Sequence, residues 1–195
     1  MLRTYANNRG SNWKCYEWNI YCTIYWLYTI EYANLNSQSN FNNITTDEGY
    51  KQGGLGAGVT DLNDTNMYDF NRYTPFIPCG YTNSLGNNTG IVPFTMPEEY
   101  GSPVVTNVPS YRGIENPFGH TWKWLDGVLA KGNGTILEYY KTNNRSGYSS
   151  SLTSDYIKIG EITKNVGYIK EIIRTSQGDI MASVIGGSDT TYFCD

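Results

Sequence analysis

The chain has 195 residues, with 14 Lys and Arg against 18 Asp and Glu, a formal net charge of -4 and a pI near 5.0. That balance excludes a general nucleic-acid binder, which needs clustered Lys and Arg to neutralise phosphate. The length allows one domain with a real core, or two very small ones. Only 16% of residues are charged, whereas 15% are aromatic, including 18 tyrosines, and Asn numbers about 21. Low charge with abundant Tyr, Asn, Ser and Gly is unusual for a metabolic enzyme of the cytosol. It suits a recognition surface, where Tyr gives stiff amphipathic contact area and Asn, Ser and Gly adapt. It equally suits a loop-rich fold that needs many turn formers.

In chain order, Ser11 and Asn12 are caps for a helix expected from about Trp13 to Leu35. Tyr16, Ile20, Ile24 and Leu27 fall on one side at helical spacing, and Trp18, Cys22, Tyr25 and Trp26 populate another. A helix apolar nearly all round is buried on more than one side, by its own domain or by a partner chain. The same residue types also suit strands. The longest mostly apolar run, Ile20 to Ile30, falls short of the ~20 residues that cross a bilayer. No cleavable export signal opens the chain, so neither membrane insertion nor signal-directed export is expected. On a straight helix Cys15 and Cys22 would stand roughly 10.5 Å apart along the axis, beyond disulfide reach. The four cysteines, Cys15, Cys22, Cys79 and Cys194, lack zinc-ligand spacing and read as buried free thiols.

Residues 36–110 form a loop-rich middle of short, interrupted segments. "GGLGAG" (Gly53 to Gly58), "YTPFIPCG" (Tyr73 to Gly80) and "SLGNNTG" (Ser84 to Gly90) are turn-forming runs. "GGLGAG" lacks the preceding strand, the lysine and the spacing of a phosphate-cradling loop. "DLNDTN" carries calcium-type oxygens on Asp61, Asn63 and Asp64, but an EF-hand would need Gly at Asn66 and Glu at Arg72. Only a looser calcium site fits there, and no cofactor is expected. Beyond it, Thr135 to Tyr140, Asp155 to Ile162, Gly167 to Ile173 and Asp179 to Gly187 read as strands. Their alternation is that of half-buried antiparallel sheet. "KTNNRSGYSSSLTS" between them is a polar loop without periodicity. A helical start, a loop-rich middle and a hairpin-rich end make an α+β fold.

The densest stretch is "YRGIENPFGHTWKWLDGV", Tyr111 to Val128, with the chain's only histidine. His120 has the pKa range of a general base, with Glu115 and Asp126 as the nearby carboxylates. No nucleophile elbow and no reactive-cysteine context accompanies it, and a lone His in an aromatic turn is more often structural. Glu98 and Glu99 are adjacent and would point apart on a strand, unlike the facing carboxyls of glycoside hydrolysis. No catalytic residue is assigned, and the chain reads as non-enzymatic.

"FGHTWKWLDG" (Phe118 to Gly127) resembles the signature turn of the formylglycine-generating enzyme superfamily, and "SVIGGS" (Ser183 to Ser188) resembles its R-G-G-S strand. That superfamily has a C-type-lectin-like fold, shared with phage tropism determinants. A wider resemblance is to fibre-like virion proteins of gut Bacteroides-type phages. It rests on "NRGSNWKCYEWNIYCTIYWLYTIEYANLNSQ", "GGLGAGVTDLN", "PFIPCG", "SLGNNTG", "YRGIENPFGHTWKWLDG" and "GGSDTTYFCD", spread over nearly the whole chain in the family's order.

The departures matter. Only Cys194 follows "GGS", where the enzymes place a copper-binding cysteine pair; Lys123 stands for their Glu and His120 for their Asn. Formylglycine chemistry is therefore not carried over, and an oxidase of that type is the disfavoured alternative. "ENP" (Glu115 to Pro117) differs in order from the E-P-N of the calcium-dependent lectins and no W-N-D follows, so that sugar site is not carried over.

The resemblance implies a single C-type-lectin-like domain over 1–195, with 1–35 helical and 111–195 holding the signature turn and antiparallel strands. Such a fold would continue past Asp195 into a ligand-facing segment. Gly113, Phe118, Gly119, Trp122, Trp124, Asp126, Gly127, Gly186 and Gly187 are its structural signature, with Trp122 and Trp124 expected to anchor the core. The function implied is a phage virion fibre or receptor-binding protein that recognises a host-surface glycan or protein. The alternative is a virion connector without external ligand. Expected contact residues are Tyr81, Asn83, Ser84, Asn87, Asn88 and Tyr148. The expected state is a homo-oligomer, with a trimer favoured, located in the virion after assembly in the host cytoplasm.

Overall fold

A computed structural model describes residues 2–35, 78–95, 105–118, 123–165, 167–186 and 192–193. Several expectations fall outside them: the loop Gly53 to Gly58, the calcium oxygens of Asp61, Asn63 and Asp64, the pair Glu98 and Glu99, and Gly119, His120, Trp122, Gly187 and Cys194.

The described residues form a mixed α+β structure. Helices α1 (Leu2–Asn8) and α2 (Trp18–Tyr32) flank β1 (Tyr16–Glu17). Then follow β2 (Gly90–Thr95), β3 (Val105–Tyr111), β4 (Ile114–Glu115), β5 (Leu125–Asp126), β6 (Val128–Asn133) and β7 (Ile136–Lys141). The last strands are β8 (Ile157–Thr163), β9 (Gly167–Arg174), β10 (Ile180–Ile185) and β11 (Tyr192–Phe193). They assemble as β2-β3-β4, β6-β7-β8 and β10-β9-β11, while β1 pairs with β5.

The expected helix starts later than Trp13. Tyr16 and Glu17 stay extended because they pair in parallel with Leu125 and Asp126, so α2 begins only at Trp18. At its far end Ala33 turns to φ 49, the left-handed conformation that stops helices. The four strands expected in the last third are all present as β7 to β10.

Contacts group the chain into two compact units. The first takes residues up to Trp26, Lys123–Lys164 and Ile172–Ser183. Its core is Trp18, Cys22 and Met181, against which Tyr21, Leu125, Val128, Tyr139 and Ile159 pack. Gly160 makes this possible, since a Cβ there would sit 2.9 Å from Met181 Cε. A polar clamp is buried beside the core. Asp179 Oδ1 accepts from Trp18 Nε1 at 2.8 Å and from Lys141 Nζ at 2.9 Å, and Oδ2 accepts from Thr175 Oγ1 at 2.8 Å.

The second unit takes the remaining described residues. Tyr28, fully buried, meets Tyr111 and Phe118 edge-on at 5.9 and 5.6 Å and lies 4.8 Å from Tyr32. The β3–β4 hairpin turns on Arg112 and Gly113, both at positive φ as a two-residue hairpin turn with the right twist requires. Arg112 and the Tyr111 hydroxyl both donate to Glu31, which fixes that turn.

Two burial expectations need correction. Trp124 is 73% exposed. Successive residues of an extended segment face opposite ways, and Leu125 is the one turned to the core. Helix α2 buries Trp18, Cys22, Ile24 and Tyr28, while Ile20, Leu27 and Ile30 are exposed. Among the described cysteines only Cys22 is buried; Cys15 is half-buried and Cys79 exposed, all three as free thiols.

Candidate functional site

The parallel pairing of β1 with β5 sets Glu17 directly beside Asp126. Partners in adjacent strands project to the same face, so two like charges are forced together. Each is neutralised by an arginine from elsewhere in the first unit. Arg3 of α1 reaches Asp126 with Nε at 2.8 Å to both oxygens and Nη2 at 2.6 Å to Oδ1. Arg145 of the loop after β7 reaches Glu17 Oε2 with Nε at 3.2 Å and Nη2 at 3.0 Å. Hydrogen bonding to these carboxylates raises the pKa of both arginines.

The loop that carries Arg145 is ordered by its own side chains. Thr142 Oγ1 accepts from Asn144 N, Asn144 Oδ1 from Ser146 N and Ser149 Oγ from Ser151 N. Each bond spans two residues, which is how Asn, Ser and Thr build turns. Tyr156 pins the loop by accepting from Ser149 N and donating to Ser149 O. This stretch looked shapeless in the sequence; the spacing of its Thr, Asn and Ser was the signal for its order.

Tyr148 stands at the centre. It lines two clefts of about 350 and 330 Å³ that share Glu17, Arg145 and Tyr148 as walls. The first continues over Asn19, Thr23 and Asn143, with Asn19 Nδ2 donating to Asn143 Oδ1 at 2.9 Å. The second opens toward Arg3, Lys14 and Asp126. The Tyr148 ring rests on Gly127: a Cβ there would lie 3.0 Å from ring Cε1. Gly127 also sits at φ +81. Burial raises the Tyr148 phenol above its ordinary range. Gly127→Ala is therefore expected to cost about 1–2 kcal/mol through the left-handed backbone and to push the Tyr148 ring out of place. A lower melting temperature together with altered Tyr148 ring resonances checks this.

The other expected contact residues lie in the second unit. Asn83, Ser84, Asn87 and Asn88 are exposed on a turn that includes the 3-10 segment Asn83–Leu85. Tyr81 is half-buried, its hydroxyl donating to Pro93 O at 3.0 Å and its ring 5.0 Å from Phe94. None of these five lines either cleft. Glu115, weighed as a partner of His120, has both oxygens engaged by this turn: it accepts from Gly80 N, Thr82 N and Thr82 Oγ1. Asp126 is likewise held by Arg3.

Among the signature positions, Phe118, Asp126 and Gly127 are buried, and Gly113 lies at φ +80 where a Cβ would meet Asn87 Oδ1 at 2.9 Å. Gly186 is at φ +121. Lys123 is half-buried, and burial lowers its ammonium to about 8. Among the described residues no group of three or more His, Cys, Asp and Glu is arranged to hold a metal, and no helix is long and apolar enough to cross a membrane. Compared with protein-family models, curated proteins and solved structures, the chain matches none.

Proposed function

We propose that the chain is a non-enzymatic phage virion protein of C-type-lectin-like fold, a fibre or receptor-binding component that recognises a host-surface glycan. It works as a homo-oligomer, with a trimer favoured by the symmetry of virion fibres. The observation that carries the recognition reading is Tyr148, an aromatic ring shared by two clefts of saccharide size that also hold charged or amide side chains, and fixed against Gly127. A ring face for stacking beside Asn, Thr and Arg groups for hydroxyls is the arrangement that binds sugars without covalent chemistry. Support also comes from the sequence blocks similar to phage fibre-like proteins and from the α+β arrangement of helices followed by antiparallel strands.

The test is binding of the full chain to intact host cells and to their extracted surface glycans. Tyr148→Ala is expected to weaken binding about tenfold, the scale of one lost aromatic contact, while Tyr81→Ala leaves it unchanged. Equal binding by both variants contradicts this placement of the site.

A connector without external ligand is the second reading. It is favoured by the exposed row Ile20, Leu27 and Ile30 on α2, which offers an apolar side to a neighbouring chain. The assembled oligomer failing to bind any host-surface component would select it.

A further inference from the structure

The charge of the cleft that opens toward Arg3, Lys14 and Asp126 runs opposite to that of the chain as a whole. The chain carries a net charge of -4. Yet among the described residues this cleft brings Arg3, Lys14 and Arg145 against only two carboxylates, Glu17 and Asp126. The two signs are also layered. The carboxylate side chains form the floor, 12% and 9% exposed, and each is hydrogen-bonded by an arginine. The cations form the rim: the Arg145 side chain is 73% and the Arg3 side chain 37% exposed, and Lys14 is exposed as well. Lys14 is the surplus charge. Among the described residues its Nζ meets only Asn7 Oδ1, at 3.3 Å, and no carboxylate. An entering molecule therefore meets positive charge first, with the negative floor already neutralised.

Resting on the recognition reading above, we infer that this cleft selects acidic saccharides, sugars bearing a carboxylate or phosphate, over neutral ones. The anionic group pairs with Lys14 at the rim, where Arg145 and Arg3 add to the field, and the sugar ring lies on Tyr148. Neutral saccharides gain the stacking but leave the surplus cation unpaired. An anionic ligand without a ring gains only a solvent-exposed ion pair, a small contribution by itself. Selectivity requires both parts of the site.

Extracted host-surface polysaccharide, separated by anion exchange into neutral, uronate-type and phosphorylated fractions, supplies the probes for the full chain. The uronate-type or the phosphorylated fraction is expected to bind, and which of the two does so identifies the source of the charge. Lys14→Ser should weaken that binding about threefold to fivefold, and Lys14→Arg should restore it. Raising the salt should weaken the wild-type protein more than Lys14→Ser. Lys14 is exposed, so these variants leave the fold intact. Preferred binding of the neutral fraction, or indifference to Lys14→Ser, overturns the inference while leaving glycan recognition standing. Failure to bind any fraction overturns the recognition reading, and the inference with it.

Discussion

Asp179→Ala is expected to destabilise the first unit by about 3–5 kcal/mol, the cost of stranding one member of a buried ion pair. Asp179 is 1% exposed and the Lys141 side chain 4%. Removing the carboxylate leaves an ammonium in the interior with no counter-ion, and deprives the Trp18 indole N–H and the Thr175 hydroxyl of their acceptor. These partners lie on α2, β7 and the turn before β10, so the clamp joins three separate stretches of chain. Asp179→Asn should cost less, since a carbonyl can still accept from Trp18. The double variant Asp179→Ala with Lys141→Met should recover part of the loss, because no charge is then left unpaired. Urea denaturation of the three variants gives this ordering. A double variant no more stable than Asp179→Ala alone contradicts it.

Tyr28→Ala is expected to be as damaging to the second unit, costing about 3–5 kcal/mol through the cavity left by a large core ring. The ring is wholly buried and makes aromatic contacts with Tyr32, Tyr111 and Phe118. Tyr111 in turn donates to Glu31, which also accepts from Arg112 at the hairpin turn. Losing Tyr28 therefore loosens the hairpin as well as the core. Tyr28→Phe keeps the ring contacts and should cost far less. Thermal melts and the dispersion of Tyr111 and Phe118 ring resonances separate the two variants.

The sequence carried most of the last third. The alternating Ile157, Ile159 and the runs after them announced β8 to β10, and the structure has them there. The antiparallel pairing of β2 and β3 was hidden by Pro93 and Pro109, residues that argue against a strand unless its edge or pairing allows them. The start of α2 was misplaced because β1 is held extended by Leu125 and Asp126, more than a hundred residues away. No local pattern encodes such a pairing. The same limit applies to the clefts. Tyr148 and Asp126 stood out in the sequence for separate reasons, one as a loop aromatic and one inside a signature turn. Their neighbours Arg3, Lys14 and Glu17 come from the N-terminal segment, and only the fold joins them. The expectation of Trp124 as a core anchor failed on strand alternation, which a two-residue strand is too short to reveal from sequence.

The signature stretch thus has two roles. Phe118 packs in the second unit against Tyr28, while Asp126 and Gly127 build the floor and the ring support of the clefts in the first. Of these residues, Gly127 is the one against which the Tyr148 ring rests.

The most direct measurement is amide hydrogen exchange of the full chain with and without host-surface glycan. Slowed exchange is expected at Asp126 to Val128 and at Asn143 to Ser150, with Tyr81 to Asn88 unchanged. Slowed exchange confined to Tyr81 to Asn88, with none around Tyr148, would contradict it.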